Sequence, residues 1–169
     1  MARKERTRQL VIGALIAAVY VGLTYLSNFF GLAYGPVQVR ISEVLCVLPV
    51  FTYAAIPGLT VGCFIANIGS FNLVDLGFGT FATLTAAVLT YVLKNKKVKG
   101  IPIFSMLSPV IINAVVIGAE ISLFYLPDGA FGWGFLISAL EVGIGEIIAS
   151  VILGIPFYFM MQKYIKKLQ

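Results

Sequence analysis

The chain is dominated by apolar runs long enough to cross a lipid bilayer, separated by glycine, proline and short clusters of lysine and arginine. Hydrophobic residues fill 60% of the 169 positions and charged residues only 11%, whereas about one quarter of a soluble domain is charged. A water-soluble fold is excluded, because a chain of this length encloses too small a core to bury so much apolar surface. Six crossings at about 20 residues each use most of the chain and leave short connections. The expectation is therefore one integral membrane domain over residues 1–169, with no separate catalytic or nucleotide-binding domain. Apolar residues run continuously and do not alternate, which argues against a β-barrel.

The expected architecture is all-α: a six-helix transmembrane bundle with helices over about residues 7–30, 40–53, 57–70, 76–93, 101–126 and 131–165. Gly31, Gly35 and Pro36 end the first helix, and Pro49 bends or stops the second. The second and third are short. If they form one re-entrant excursion that does not cross, four spans remain.

Charge tests this count. Eleven of the twelve Lys and Arg residues fall in three clusters: Arg3, Lys4, Arg6 and Arg8; Lys94, Lys96, Lys97 and Lys99; and Lys163, Lys166 and Lys167. The positive-inside rule places each cluster in the cytoplasm, so both termini are cytoplasmic and an even number of spans separates successive clusters. Both topologies satisfy that parity. The basic start imitates a secretory signal, but its apolar run continues for about 20 residues without a small-residue cleavage site and reads as a retained helix. Residues 31–39, 67–75 and 127–132 then face outward and are placed to form the rim and lid of a site.

Cys46 and Cys63 both lie in apolar stretches and the chain has no histidine, so neither a disulfide framework nor a His- or Cys-based metal site is expected, and no cofactor. Walker A, HExxH and GxSxG motifs are missing. The chain is expected neither to hydrolyse ATP itself nor to be an enzyme.

Five acids lie in or at the ends of apolar segments: Glu43, Asp75, Glu120, Glu141 and Glu146. An ionised group in hydrocarbon costs about 2.5 kcal/mol or more, so each needs a partner or a wet cavity. At 1.5 Å per residue, Glu120 and Glu141 lie at one depth beneath the outer ends of the last two helices. Asn113, two turns before Glu120, projects from nearly the same face. A pocket between these helices, with two carboxylates and an amide below an aromatic rim at Phe131 and Trp133, is the geometric expectation. Glu146, five residues past Glu141, points elsewhere, toward a small-residue face with Gly143 and Ser150, where an interhelical hydrogen bond is the alternative to ligand contact.

Arg40 and Glu43 are spaced for an intrahelical ion pair or for a ligand role, with Gln38 adding a donor and an acceptor. Asn67 ends the third helix in the second outer loop. Asp75 reads as a helix cap or as a ligand, and Trp133 as an interfacial belt residue or a stacking platform. Gly13 and Ala17, or Ala14 and Ala18, make small-residue stripes on the first helix, suited to packing inside the bundle or against another protein.

The stretches YGPVQVRISEVLCVLP (residues 34–49), AIPGLTVGCFIAN (55–67) and LVDLGFGTFATLTAA (73–87), followed by NAVVIGAE (113–120) and GIGEIIASVILGIPFY (143–158), resemble the QueT family of membrane proteins. The resemblance covers nearly the whole chain. It implies the substrate-binding S component of an energy-coupling factor transporter that imports queuosine precursors, which are 7-deazaguanines. It further implies a six-helix S-component fold, an outward-facing site capped by the first outer loop, and three partners: a transmembrane coupling protein and two cytoplasmic ATPases. Ala14 and Ala18 would then dock on the coupling protein.

The ligand class suits the acids. A guanine-like ring offers two adjacent N–H donors to one carboxylate and a carbonyl to an amide, and an aminomethyl substituent adds a cation for a second carboxylate. Glu141 lies outside the matching stretches, so its role rests on helix geometry alone. Two alternatives stand beside this reading: the same fold serving another vitamin-like heterocycle, and a stand-alone proton-coupled carrier using Glu120 and Glu146.

Overall fold

The structure is a computed structural model that describes residues 2–31, 39–69, 73–126 and 132–168. It is all-helical: α1 (Ala2–Phe29), a 3-10 helix (Ile41–Val50), α2 (Ala55–Ile68), α3 (Leu73–Leu93), α4 (Ile103–Phe124), α5 (Trp133–Glu146), a π-helical stretch (Ile147–Ile152) and α6 (Gly154–Leu168). The last three form one apolar run, Trp133–Ile165. With Arg3–Phe29, Leu73–Leu93 and Ile103–Phe124 it makes four helices long and apolar enough to cross a membrane.

The second expected α-helix is a 3-10 helix. Pro49 within it has no N–H to donate, and its ring would meet the carbonyl four residues back in an α-helix. The tighter winding has a use. A 3-10 helix rises about 2.0 Å per residue against about 1.5 Å for an α-helix. At its start the backbone N–H of Ile41 donates to Ser27 Oγ of α1 (2.9 Å), and just past its end Thr52 Oγ1 lies 3.3 Å from Gln9 Oε1. The chain from 41 to 52 thus descends the depth that α1 climbs from 9 to 27.

The six passes alternate in direction. Gly58 and Gly62 of α2 meet Gly13 and Ala17 of α1, so α2 climbs beside α1. Thr83 of α3 meets Cys63 of α2, and the Tyr91 ring lies 6.0 Å from that of Tyr53, so α3 descends. Thr90 Oγ1 of α3 donates to the Ser105 carbonyl of α4 and Ser105 Oγ to the Thr90 carbonyl, each at 3.0 Å, and α4 climbs from there. Tyr158 of α6 stacks on Phe51, and its hydroxyl lies 3.4 Å from the Gly100 carbonyl. The start of α1, the 94–99 turn and α6 therefore share one end of the bundle, as the charge parity requires.

Inside and outside are inverted relative to a soluble domain. Ala55, Ala82, Ala86, Ala87, Thr90 and Ser105 are fully buried, while Leu15, Val19, Leu136, Leu140 and Ile144 face outward. That is the composition of helices packed in lipid, where small residues allow close approach and hydroxyls bond across helices. A Cβ at Gly58 would stand 2.7 Å from the Gly13 carbonyl oxygen, and one at Gly62 would stand 3.0 Å from that of Ala17. The two small-residue stripes of α1 divide accordingly: Gly13 and Ala17 are buried against α2, whereas Ala14 and Ala18 are exposed.

Candidate functional site

The polar interior begins on α1. Tyr20, Thr24 and Ser27, spaced i, i+4 and i+7, form a hydroxyl stripe that faces the 3-10 helix. The Tyr20 hydroxyl donates to Glu43 Oε1, Thr24 Oγ1 lies 2.8 Å from Ser42 Oγ, and Ser27 accepts the N–H of Ile41 as described. In a 3-10 helix residues three apart eclipse one another. Glu43 and Cys46 consequently line up, and the Cys46 thiol donates to Glu43 Oε2 at 2.9 Å. Both carboxylate oxygens of Glu43, a residue 3% exposed, are thus occupied by protein donors.

Across from Glu43, the Asn113 amide of α4 donates to Glu146 Oε1 of α5 at 2.6 Å, and Ser150 Oγ donates to Glu146 Oε2 at 3.1 Å. Ser150 sits in the π-helical stretch, which also brings its hydroxyl within 3.5 Å of the Glu43 carbonyl. Local π-helical turns recur at functional sites because the extra residue re-aims side chains. Here it follows immediately after Glu146.

These groups surround a hollow lined by Arg40 and Glu43 of the 3-10 segment, Gly79 and Thr83 of α3, Asn113 and Ile117 of α4, and Val142 and Glu146 of α5. Its volume is about 20 Å³, room for about one water. The guanidinium of Arg40 acts electrostatically on both Glu146 and Glu120.

The sequence-derived site residues fall into three groups. Arg40, Glu43, Asn113 and Glu146 meet around the hollow. The expected partnership of Asn113 with Glu120 and Glu141 is replaced by one with Glu146, because the rotation of α5 against α4 turns the Glu146 face inward at that level. The interhelical hydrogen bond expected for Glu146 is present, and the same side chain also lines the hollow.

A second group lies one turn farther along. Glu120, 1% exposed, faces the Asp75 carboxyl. Asp75 belongs to the first turn of α3, where its side chain accepts from the Tyr125 hydroxyl at 3.1 Å. Its backbone carbonyl accepts from the Asn67 amide at 3.1 Å, which ties the end of α2 to the start of α3. A Cβ at Gly79 would stand 2.6 Å from that amide, so glycine leaves room for Asn67 beside the hollow.

The third group stands apart from the hollow. Glu141 is half-buried on α5, and Trp133, the first residue of α5, is 81% exposed. Gln38 and Phe131 lie outside the described residues. Tyr20, Cys46, Thr83 and Ser150 were not singled out from the sequence for this site. The hydroxyl stripe of α1 was the available signal for Tyr20, whereas the alignment of Cys46 with Glu43 exists only in a 3-10 helix.

Among the described residues, four long apolar helices with ionisable groups gathered around an interior hollow give the build of a multi-pass membrane protein. Comparison with known proteins narrows the class. A family model described as QueT transporter matches residues 10–163, and the chain belongs to that family. A relative from Lactococcus lactis subsp. cremoris (strain MG1363), named queuosine precursor transporter QueT, is 39% identical over 82 residues, 48% of this chain and 48% of the relative. The match therefore spans about half the length of that relative. No solved structure matches the chain.

Proposed function

We propose that this chain is the membrane-embedded substrate-binding subunit of an ATP-driven energy-coupling factor importer, and that it takes up a queuosine precursor, queuine or a related 7-deazaguanine, from outside. The observation that carries the reading is the Asn113–Glu146 pair facing Arg40 across a hollow inside an apolar bundle. A deazaguanine edge presents two adjacent N–H donors and a carbonyl. Glu146 accepts the former, and Asn113 or Arg40 donates to the latter. Glu43, held by Tyr20 and Cys46, fixes the floor.

The hollow is too small for a bicyclic ring as it stands. Binding therefore includes a parting of α3, α4 and the 3-10 segment around it. Residues 1–169 act as one membrane domain in the cell membrane, with both termini and the 94–99 turn in the cytoplasm, following the positive-inside rule. The chain binds and releases its solute without making or breaking a bond. Two cytoplasmic ATPases supply the energy through a transmembrane coupling protein, to which the exposed Ala14 and Ala18 offer a close-packing surface.

Calorimetric titration of the purified chain with 7-deazaguanines tests the ligand: Asn113→Ala is expected to weaken binding about tenfold, the worth of one buried hydrogen bond at about 1.4 kcal/mol. Equal affinity in wild type and variant contradicts the site. Uptake by proteoliposomes is expected only when the coupling protein and ATPases are included. Uptake driven by a proton gradient alone contradicts the importer.

A further inference from the structure

Two stripes run upward from the hollow on facing helices. On α3 they are Thr83, Gly79 and Asp75, and on α4 Asn113, Ile117 and Glu120, each set spaced by three or four residues and so on one face. Thr83, Gly79, Asn113 and Ile117 line the hollow. Asp75 and Glu120 stand one turn beyond Gly79 and Ile117, about 5 Å farther along the helices.

At that level the Asp75 and Glu120 carboxyls share a hydrogen bond but one oxygen has no donor. Glu120 Oε1 is buried and has no hydrogen-bond partner, although Glu120 is only 1% exposed and the Asp75 carboxyl faces it. The neighbouring donor is a neutral hydroxyl, that of Tyr125 on Asp75. The Phe78 and Phe124 rings meet nearby, with centroids 5.8 Å apart, on the same two helices. The Arg40 guanidinium acts electrostatically on Glu120 and Glu146, and it lines the hollow beside Glu43 and Glu146. Glu43 and Glu146 have donors on both oxygens; Glu120 does not.

We infer that the Asp75–Glu120 pair is a specificity subsite for a positively charged substituent of the ligand, holding an alkylammonium between the two carboxyls while the ring occupies the hollow below. The inference rests on the proposed function and adds a direction to it: the bound heterocycle lies along the α3–α4 seam with its cationic arm toward Tyr125. A buried carboxylate oxygen without a donor costs free energy that an ammonium recovers on binding.

The test compares two ligands with one ring: 7-aminomethyl-7-deazaguanine, which carries an ammonium, and 7-cyano-7-deazaguanine, which is neutral. Calorimetry on the intact chain in nanodiscs is expected to show at least tenfold tighter binding of the ammonium ligand. Glu120→Gln and Asp75→Asn, both near-isosteric, are each expected to bring that ratio below threefold while changing affinity for the neutral ligand less than threefold. Thermal unfolding of each variant confirms that it is folded, and either one suffices if the other fails to fold. A wild type without preference, or a preference that survives in both variants, overturns the subsite alone. A wild type that binds neither ligand overturns the deazaguanine reading beneath it, and the subsite with it.

Discussion

The interior of this bundle holds two pairs of acidic side chains one helical turn apart, and they are built differently. Around Glu43 and Glu146 every carboxylate oxygen has a protein donor: the Tyr20 hydroxyl, the Cys46 thiol, the Asn113 amide or the Ser150 hydroxyl. At Asp75 and Glu120 the carboxyls face each other and one oxygen is left without a donor. A satisfied buried network rigidifies the helices that supply it, whereas an incompletely satisfied one lowers stability until something completes it. The lower pair is therefore scaffold, and under the proposed function ligand surface too, whereas the upper pair leaves a buried oxygen that the proposed cation would complete.

That contrast is broken most severely by truncation. Glu146→Ala strips the acceptor from a buried amide and a buried hydroxyl, and is expected to cost about 3 kcal/mol of stability and abolish ligand binding. Glu120→Ala removes only the hydrogen bond shared with Asp75 and is expected to cost less, about 1 kcal/mol. Thermal unfolding of the two variants side by side reads the difference. Equal losses would erase the distinction between the pairs.

A smaller effect is expected from Gly118→Ala. Its Cβ would stand 2.8 Å from the Ala139 Cα, so α4 and α5 must separate. Overpacking of this kind costs about 2 kcal/mol. Because the shift displaces Asn113 from Glu146, titration should show weaker ring binding for charged and neutral ligands alike. Tyr20→Phe removes one donor from Glu43 and is expected to cost about 1 kcal/mol of stability. Retention of ligand affinity within a few-fold would mark Tyr20 as support and not contact.

The smallest change is expected from Ser150→Ala, about 0.5 kcal/mol, since Glu146 keeps its bond to Asn113. A large loss of binding there would show that the π-helical stretch is held by that hydroxyl, and would sharpen the link between Glu146 and Glu43.

That the start of α1, the 94–99 turn and α6 share one end was legible in the sequence because three basic clusters require an even number of spans between them, whichever of the two topologies holds. The identity of the 3-10 helix was not legible. Pro49 signals a break but not the 3-10 winding around it, and only that winding aligns Glu43 and Cys46. Acids in apolar stretches pointed to Glu43, Glu120 and Glu146, which are all buried, but which groups each one meets could not be read from spacing. Helical periodicity fixes faces within one helix and says nothing about the rotation of α5 against α4, so spacing does not reveal that Asn113 meets Glu146 and not Glu120 or Glu141. The small-residue stripes of α1 were both visible, and only packing against Gly58 and Gly62 decides that Gly13 and Ala17 face inward.

A structure of the chain with a bound 7-deazaguanine is the most direct trial of this account. The account predicts the ring in an enlarged hollow between α3, α4 and α5, within hydrogen-bonding distance of Asn113 and Glu146 and with its 7-substituent directed to Asp75 and Glu120. A ligand held elsewhere, with the Asn113–Glu146–Ser150 bonds intact and the hollow still closed, would contradict it.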